Sequence, residues 1–91
     1  MPYEWDEAKN RANRLKHGIS FEEAQLIFAG PVFSWVDTRL DYGETRIVSI
    51  GLISGIVAVT VVHTDRNGTT RIISARLANQ RERTIYDDHL R

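Results

Sequence analysis

Residues 56–78 read IVAVTVVHTDRNGTTRIISARLA, and this stretch decides the fold. Ile56-Val57-Ala58-Val59-Thr60-Val61-Val62 is apolar on both parities, the pattern of a central strand buried on both faces. Asn67-Gly68 is the strongest hairpin signal in the chain, because both residues tolerate the positive φ of a two-residue turn. Thr69–Ala78 then returns as an antiparallel strand. If Arg66 faces Thr69, the register pairs His63 with Ile72, Val61 with Ser74 and Val59 with Arg76. One face would carry His63, Asp65, Thr70, Ser74 and Arg76, leaving Ile73, Ala75 and Leu77 to the core. His63 and Arg76 would stand about four residues, or ~13 Å, apart on that open face. A longer turn would slip the register by one and exchange the faces.

Upstream, Ile56–His63 is preceded by two further extended segments, Thr45–Ile53 and Val32–Thr38, punctuated by Ser54-Gly55 and Asp41-Tyr42-Gly43. Before them the period is helical. Asp6 is placed to N-cap a helix carrying Ala8, Ala12 and Leu15 as a narrow apolar stripe, with Gly18 as its left-handed stop. Ser20-Phe21-Glu22-Glu23 is a capping box opening a second helix, with Ile19 and Ala24 placed as a hydrophobic staple. Phe21, Ala24, Ile27 and Phe28 form its buried face, and Gly30-Pro31 ends it. Downstream, Asn79 with Glu82 caps a last helix, Gln80–Leu90. The expected fold is a single α+β domain over 1–91: two N-terminal helices, an antiparallel meander sheet of about four strands, and a C-terminal helix. Tyr3–Trp5 is a possible short extra strand.

Composition agrees with one small globular domain. Hydrophobic residues make up 42% and charged residues 26% of 91, ordinary globular values that argue against disorder, coiled coil and collagen. No apolar run reaches the ~18 residues of a membrane span, and the N-terminus lacks the basic and apolar regions of a secretory signal. Cysteine is absent, which excludes disulfides and thiolate zinc sites and suits a reducing cytosol. Net charge is zero, from 12 basic and 12 acidic residues. The charge is unevenly placed, however. Residues 18–44 hold five acidic residues against Arg39 alone, whereas 66–83 hold Arg66, Arg71, Arg76, Arg81 and Arg83 against Glu82 alone. Arginine's planar fork suits bidentate contact with phosphate or carboxylate.

The chemistry open to these residues is narrow. There is no Gly-rich phosphate loop, no G-x-S-x-G and no H-E-x-x-H, and His17, His63 and His89 lie on separate elements without ligand spacing. No metal or other cofactor is expected. A histidine with several arginines fits RNA cleavage by the RNA's own 2′-hydroxyl: a base takes the proton, and arginines stabilise the phosphorane. His63 is the natural base, with an unperturbed pKa near ~6.5; the plainer reading is a strand-end histidine bonded to a neighbour. Glu44 is either a second proton-transfer group or the partner of Arg46. Arg76 lies mid-strand, where an arginine needs a partner. Trp5, Trp35 and Tyr86 are base-stacking candidates that equally fit packing.

Tyr3-Glu4-Trp5-Asp6-Glu7-Ala8-Lys9, Asn13 and Lys16-His17-Gly18-Ile19-Ser20-Phe21-Glu22-Glu23-Ala24 resemble the start of BrnT-type toxins. Tyr42-Gly43-Glu44-Thr45-Arg46 is similar to that family's glutamate-x-arginine strand start. Val61–Arg66 fits the strand before the hairpin. Arg71-Ile72-Ile73-Ser74-Ala75-Arg76-Leu77-Ala78, with Glu82-Arg83 and Tyr86, resembles its closing signature. The likeness spans nearly the whole chain. It implies a RelE-like fold and a cytoplasmic, metal-independent endoribonuclease that arrests translation. It also implies neutralisation by a ribbon-helix-helix antitoxin that makes the DNA contacts of the complex. The expected catalytic residues are His63, Arg76 and Glu44, with RNA bound by Arg66, Arg71, Lys16, His17 and Arg81. The alternative is a catalytically inactive interaction module that retains only antitoxin binding. Direct DNA binding is disfavoured, since no helix is both basic and flanked like a recognition helix.

Overall fold

A computed structural model describes residues 2–90; the ends of the expected 1–91 domain, Met1 and Arg91, lie outside the described residues. The elements are β1 (Tyr3–Glu4), α1 (Glu7–His17), α2 (Phe21–Ala24) running into a 3₁₀ turn (Gln25–Ala29), β2 (Phe33–Val36), β3 (Ile47–Ile53), β4 (Val57–Arg66), β5 (Thr69–Leu77) and α3 (Gln80–Leu90). The sheet has five strands in the order β1-β5-β4-β3-β2. β2 to β5 form the expected antiparallel meander, with β4 at its centre. The expectation of about four antiparallel strands is corrected at one edge. Tyr3 and Glu4 add a fifth strand, parallel to β5 at Thr70 and Arg71.

Local chemistry accounts for the element ends. Asp6 accepts the Lys9 N–H at 3.1 Å, and Gly18, at φ 74°, donates to the Arg14 carbonyl at 2.8 Å. Ser20 and Glu23 complete their reciprocal capping box. Asn67 and Gly68 both have positive φ, 56° and 85°, as the two-residue turn requires. Gly51 is fixed by close approach, since a Cβ there would come within 2.7 Å of Ile27 Cβ where the 3₁₀ turn crosses β3.

α1 departs from the expected amphipathic reading. Ala8 and Ala12 are exposed and Leu15 is 90% exposed, while Asn10 and Asn13 are buried. The cause is backbone hydrogen bonding. β1 covers β5 only at Thr70 and Arg71, so the β5 edge further along has no strand partner. Asn13 supplies one: its carboxamide donates to the Ala75 carbonyl at 2.7 Å and accepts the Ala75 N–H at 3.2 Å. Asn10 accepts the Phe21 N–H at 2.8 Å and donates to Glu22 at 2.6 Å. Unpaired buried backbone groups cost more than an apolar stripe gains here. The core beneath this layer is Ile19, Phe21, Ala24, Ile27, Val59, Val61, Ile72 and Ala75. α3 crosses the other face over β3 and β2, with Tyr86 buried and its hydroxyl donating to the Pro31 carbonyl at 3.2 Å.

Candidate active site

The β4–β5 hairpin begins in the expected register, with Arg66 opposite Thr69 and His63 opposite Ile72. A bulge then shifts the pairing by one, so that Val62 faces Ser74, Val61 faces Ala75 and Thr60 faces Arg76, leaving Ile73 without a partner. Directly paired residues share a face of the sheet. Arg71, Ser74 and Arg76 therefore lie with Thr64, Val62 and Thr60 on the α3 side. His63 lies with Val61 and Ile72 on the α1–α2 side.

The expectation that His63 and Arg76 share an open face is thus overturned by one inserted residue. His63 is half-buried, its Nε2 2.7 Å from the Ser49 hydroxyl and its ring edge-on to Phe28 at 5.0 Å between centroids. Burial pushes its pKa down, which favours the neutral ring. His63 lies within β4, three residues before its end, and is bonded to a neighbouring side chain.

The α3 side opens into a cleft of about 320 Å³ between β2, β5 and the start of α3. Trp35, Asp37, Arg39, Thr60, Ser74, Arg76 and Glu82 contribute its polar and aromatic lining. Arg76 Nη1 and Nη2 donate to Glu82 Oε1 and Oε2 at 2.6 and 2.7 Å. Glu82 Oε1 also accepts the Thr60 hydroxyl at 3.2 Å and the Asn79 N–H at 3.0 Å, while Asn79 Oδ1 accepts the Glu82 N–H at 2.8 Å. The helix cap read from the sequence therefore has a second duty: the same carboxylate that caps α3 faces Arg76. The Arg76 pair holds the Glu82 pKa below its ordinary value, and Glu82 raises that of Arg76.

A second pair lines the cleft. Arg39 donates from Nε and Nη2 to Asp37 at 2.9 and 2.8 Å, and the Tyr42 hydroxyl donates to Asp37 at 3.1 Å. The Arg39 contacts hold the buried Asp37 carboxyl far below the usual carboxylate range. Arg39 itself is largely exposed, and its charge is felt as repulsion at Arg76. Two guanidiniums facing one cleft, each held by a carboxylate, suit a dianionic transition state.

The remaining expected residues are dispersed. Glu44 lies at the hairpin end, bridging Arg66 at 3.1 Å and Arg46 at 3.7 Å; it makes no hydrogen bond or ion pair with His63 among the described residues. Arg46 sits over the Tyr42 ring, 4.0 Å from its centroid, and its buried Nε finds no hydrogen-bond partner among the described residues. Arg71 pairs with Glu4 at 2.7 Å. Arg66, Arg71 and Arg76 nevertheless share one face, so they form a line leading away from the cleft. α1 runs from the β1 pairing towards Ala75, which carries Lys16 and His17 away from Glu44. Arg81, exposed on α3, does not line this cleft and lies instead on a neighbouring groove between β2 and α3. Among the described residues, no three of His, Cys, Asp and Glu are grouped to hold a metal ion. Sequence reasoning did not bring Arg39, Asp37 and Glu82 together with Arg76 in the lining of this cleft. Only Glu82 left a signal, as an acidic cap three residues beyond Asn79 and six beyond Arg76.

Residues 5–82 match the family model described as the ribonuclease toxin, BrnT, of type II toxin–antitoxin systems. The fold is similar to the crystal structure of the Brucella abortus ribonuclease toxin BrnT, with a TM-score of 0.66 and 29% sequence identity. That alignment covers 88% of this chain and 99% of the Brucella chain. No curated protein sequence matches the chain.

Proposed function

The chain belongs to the BrnT family of ribonuclease toxins of type II toxin–antitoxin systems, and on that premise we propose that it is a metal-independent endoribonuclease of RelE-like type. It cuts RNA by attack of the 2′-hydroxyl on the adjacent phosphorus and so inhibits translation in the cytoplasm. A cognate protein antitoxin of the ribbon-helix-helix class neutralises it and supplies the DNA contacts of the pair. The observation that carries the catalytic reading is the Arg76–Glu82 pair at the floor of the cleft.

Glu82 is the general base in this reading. Its carboxylate stays ionised because Arg76, Asn79 and Thr60 all donate to it. On substrate entry the fork of Arg76 turns partly to the scissile phosphate, which frees a Glu82 oxygen for the 2′-hydroxyl proton. Arg76 and Arg39 then bear the charge of the phosphorane, with the Ser74 hydroxyl beside them as a further donor. The cleft is open to water, which returns a proton to the departing 5′ oxygen. Arg71 and Arg66 hold the strand further along the sheet. His63 supports the sheet from its other side, and Glu44 positions Arg66.

The experiment is cleavage of RNA by purified protein in excess EDTA. Retained cleavage leaving 2′,3′-cyclic phosphate ends supports the mechanism. Activity lost to chelation and restored by magnesium would refute it.

A further inference from the structure

Beside the arginine cleft, and sharing Trp35 and Glu82 with it, lies a second groove of about 550 Å³ between β2 and α3. Its lining is mostly aromatic and apolar: Phe33, Trp35, Ile85 and His89, with Arg81 on the rim. The His89 ring stacks on Phe33 at 4.2 Å between centroids, and Trp35 lies tilted 45° to Phe33 at 5.9 Å. Trp35 remains 37% exposed, which is unusual for the largest apolar side chain on a four-residue edge strand. His89 Nδ1 lies 2.8 Å from the Ile85 carbonyl. A carbonyl only accepts, so Nδ1 carries a proton, while Nε2 has no hydrogen-bond partner among the described residues. Arg81 makes no ion pair among the described residues, in contrast to Arg39, Arg76 and Arg83.

We propose that this groove holds one unstacked nucleobase of the single-stranded RNA whose phosphate occupies the arginine cleft. This rests on the ribonuclease reading above and extends it to substrate recognition. Continuity decides the occupant. Trp35 walls both spaces, so a nucleotide with its phosphate at Arg39 and Arg76 can place its base against the indole without leaving the surface. Every base offers a π-face for stacking, and aromatic platforms bind single strands in this way. The unpaired charge of Arg81 matches the next phosphate, and the unbonded His89 Nε2 is left for a hydrogen bond to a base edge. An apolar peptide would leave Arg81 and the His89 Nε2 unused.

The chain has two tryptophans, so Trp5→Phe leaves Trp35 as the sole indole reporter. Trp5 packs edge-on to Phe21 in the opposite layer and takes no part in the groove. The probes are short 2′-O-methyl oligoribonucleotides, which cannot be cleaved because the attacking hydroxyl is blocked. The expected result is quenching of Trp35 fluorescence on binding. Trp35→Ala should weaken binding on the order of 10–100-fold, while Trp35→Phe retains most of it. A single abasic position should produce the same loss in the wild type and no further loss in Trp35→Ala. His89→Ala should also weaken binding, since it removes the ring that stacks on Phe33 in the groove. Circular dichroism confirms that each variant is folded.

If RNA is still cleaved but Trp35 does not respond and Trp35→Ala binds normally, the base pocket is wrong and the ribonuclease reading survives. If the wild type neither binds these oligonucleotides nor cleaves RNA, both fall. Quenching by the antitoxin but not by RNA would make the groove a protein-docking surface and overturn the proposal.

Discussion

Arg76 and Glu82 meet through two parallel hydrogen bonds of 2.6 and 2.7 Å that tie β5 to the first turn of α3. The Arg76 side chain is 42% exposed, whereas that of Glu82 is 12% exposed. The pair is therefore reachable from the cleft while its carboxylate is mostly shielded. Such a pair can both fix α3 over the sheet and act on a substrate phosphate. Its two roles separate experimentally.

Arg76→Ala is expected to remove ribonuclease activity while costing only about 1–2 kcal/mol of stability, because Glu82 keeps Asn79 and Thr60 as donors. Arg76→Lys should recover stability better than activity, since one ammonium cannot reproduce the fork. Urea denaturation alongside a cleavage assay checks this. An Arg76→Ala protein that folds and cleaves normally would show the pair to be purely structural.

The pH–rate profile distinguishes a carboxylate base from a histidine base. The Glu82 pKa is lowered from 4.5, chiefly by the Arg76 contact, so the base is already ionised in mildly acid solution. The rate should be flat between about pH 5 and 8, with loss only in stronger acid. A rise centred near pH ~6.5 would return the role to a histidine.

Stability should fall in acid for two separable reasons. Burial lowers the His63 pKa in the fold, so between its unfolded value of 6.5 and its lower folded value the unfolded chain binds more protons. Stability is therefore full above that window and declines as pH falls through it. His63→Gln should remove this component while leaving the second decline, below about pH 4.5, where Asp37 and Glu82 lose their arginine pairs. Midpoints of urea unfolding across pH measure both.

Much of the fold was legible in the sequence because its signals are local. The Asn67-Gly68 turn, the Ser20–Glu23 capping box and the two-sided apolarity of β4 depend on residues close together in the chain, and each appears as read. The site was less legible because it depends on register over distance. One unpaired residue, Ile73, moved Arg76 to the face opposite His63, and nothing in the β-branched run Ile72-Ile73 signals a bulge. The buried face of α1 was misread for a related reason. Its partner is a strand edge 62 residues away, whose need for hydrogen bonds makes Asn13 the buried residue rather than Leu15.

That reading of α1 has its own test. Asn13→Ala leaves the Ala75 N–H and carbonyl unpaired and should cost roughly 2–4 kcal/mol, beyond the usual range for an asparagine. Leu15→Glu should change stability by less than about 0.5 kcal/mol, since Leu15 is 90% exposed. Equal losses from the two variants would mean that α1 docks through its apolar stripe after all.

The most direct measurement is the single-turnover rate of RNA cleavage in EDTA for the wild type, Glu82→Gln and His63→Gln, each confirmed to be folded. The account requires Glu82→Gln to lose about 10²–10⁴-fold and His63→Gln to stay within a few-fold of the wild type. A His63→Gln protein that is folded but inactive, beside a Glu82→Gln protein that cleaves normally, would contradict it and place the chemistry on the other face of the sheet.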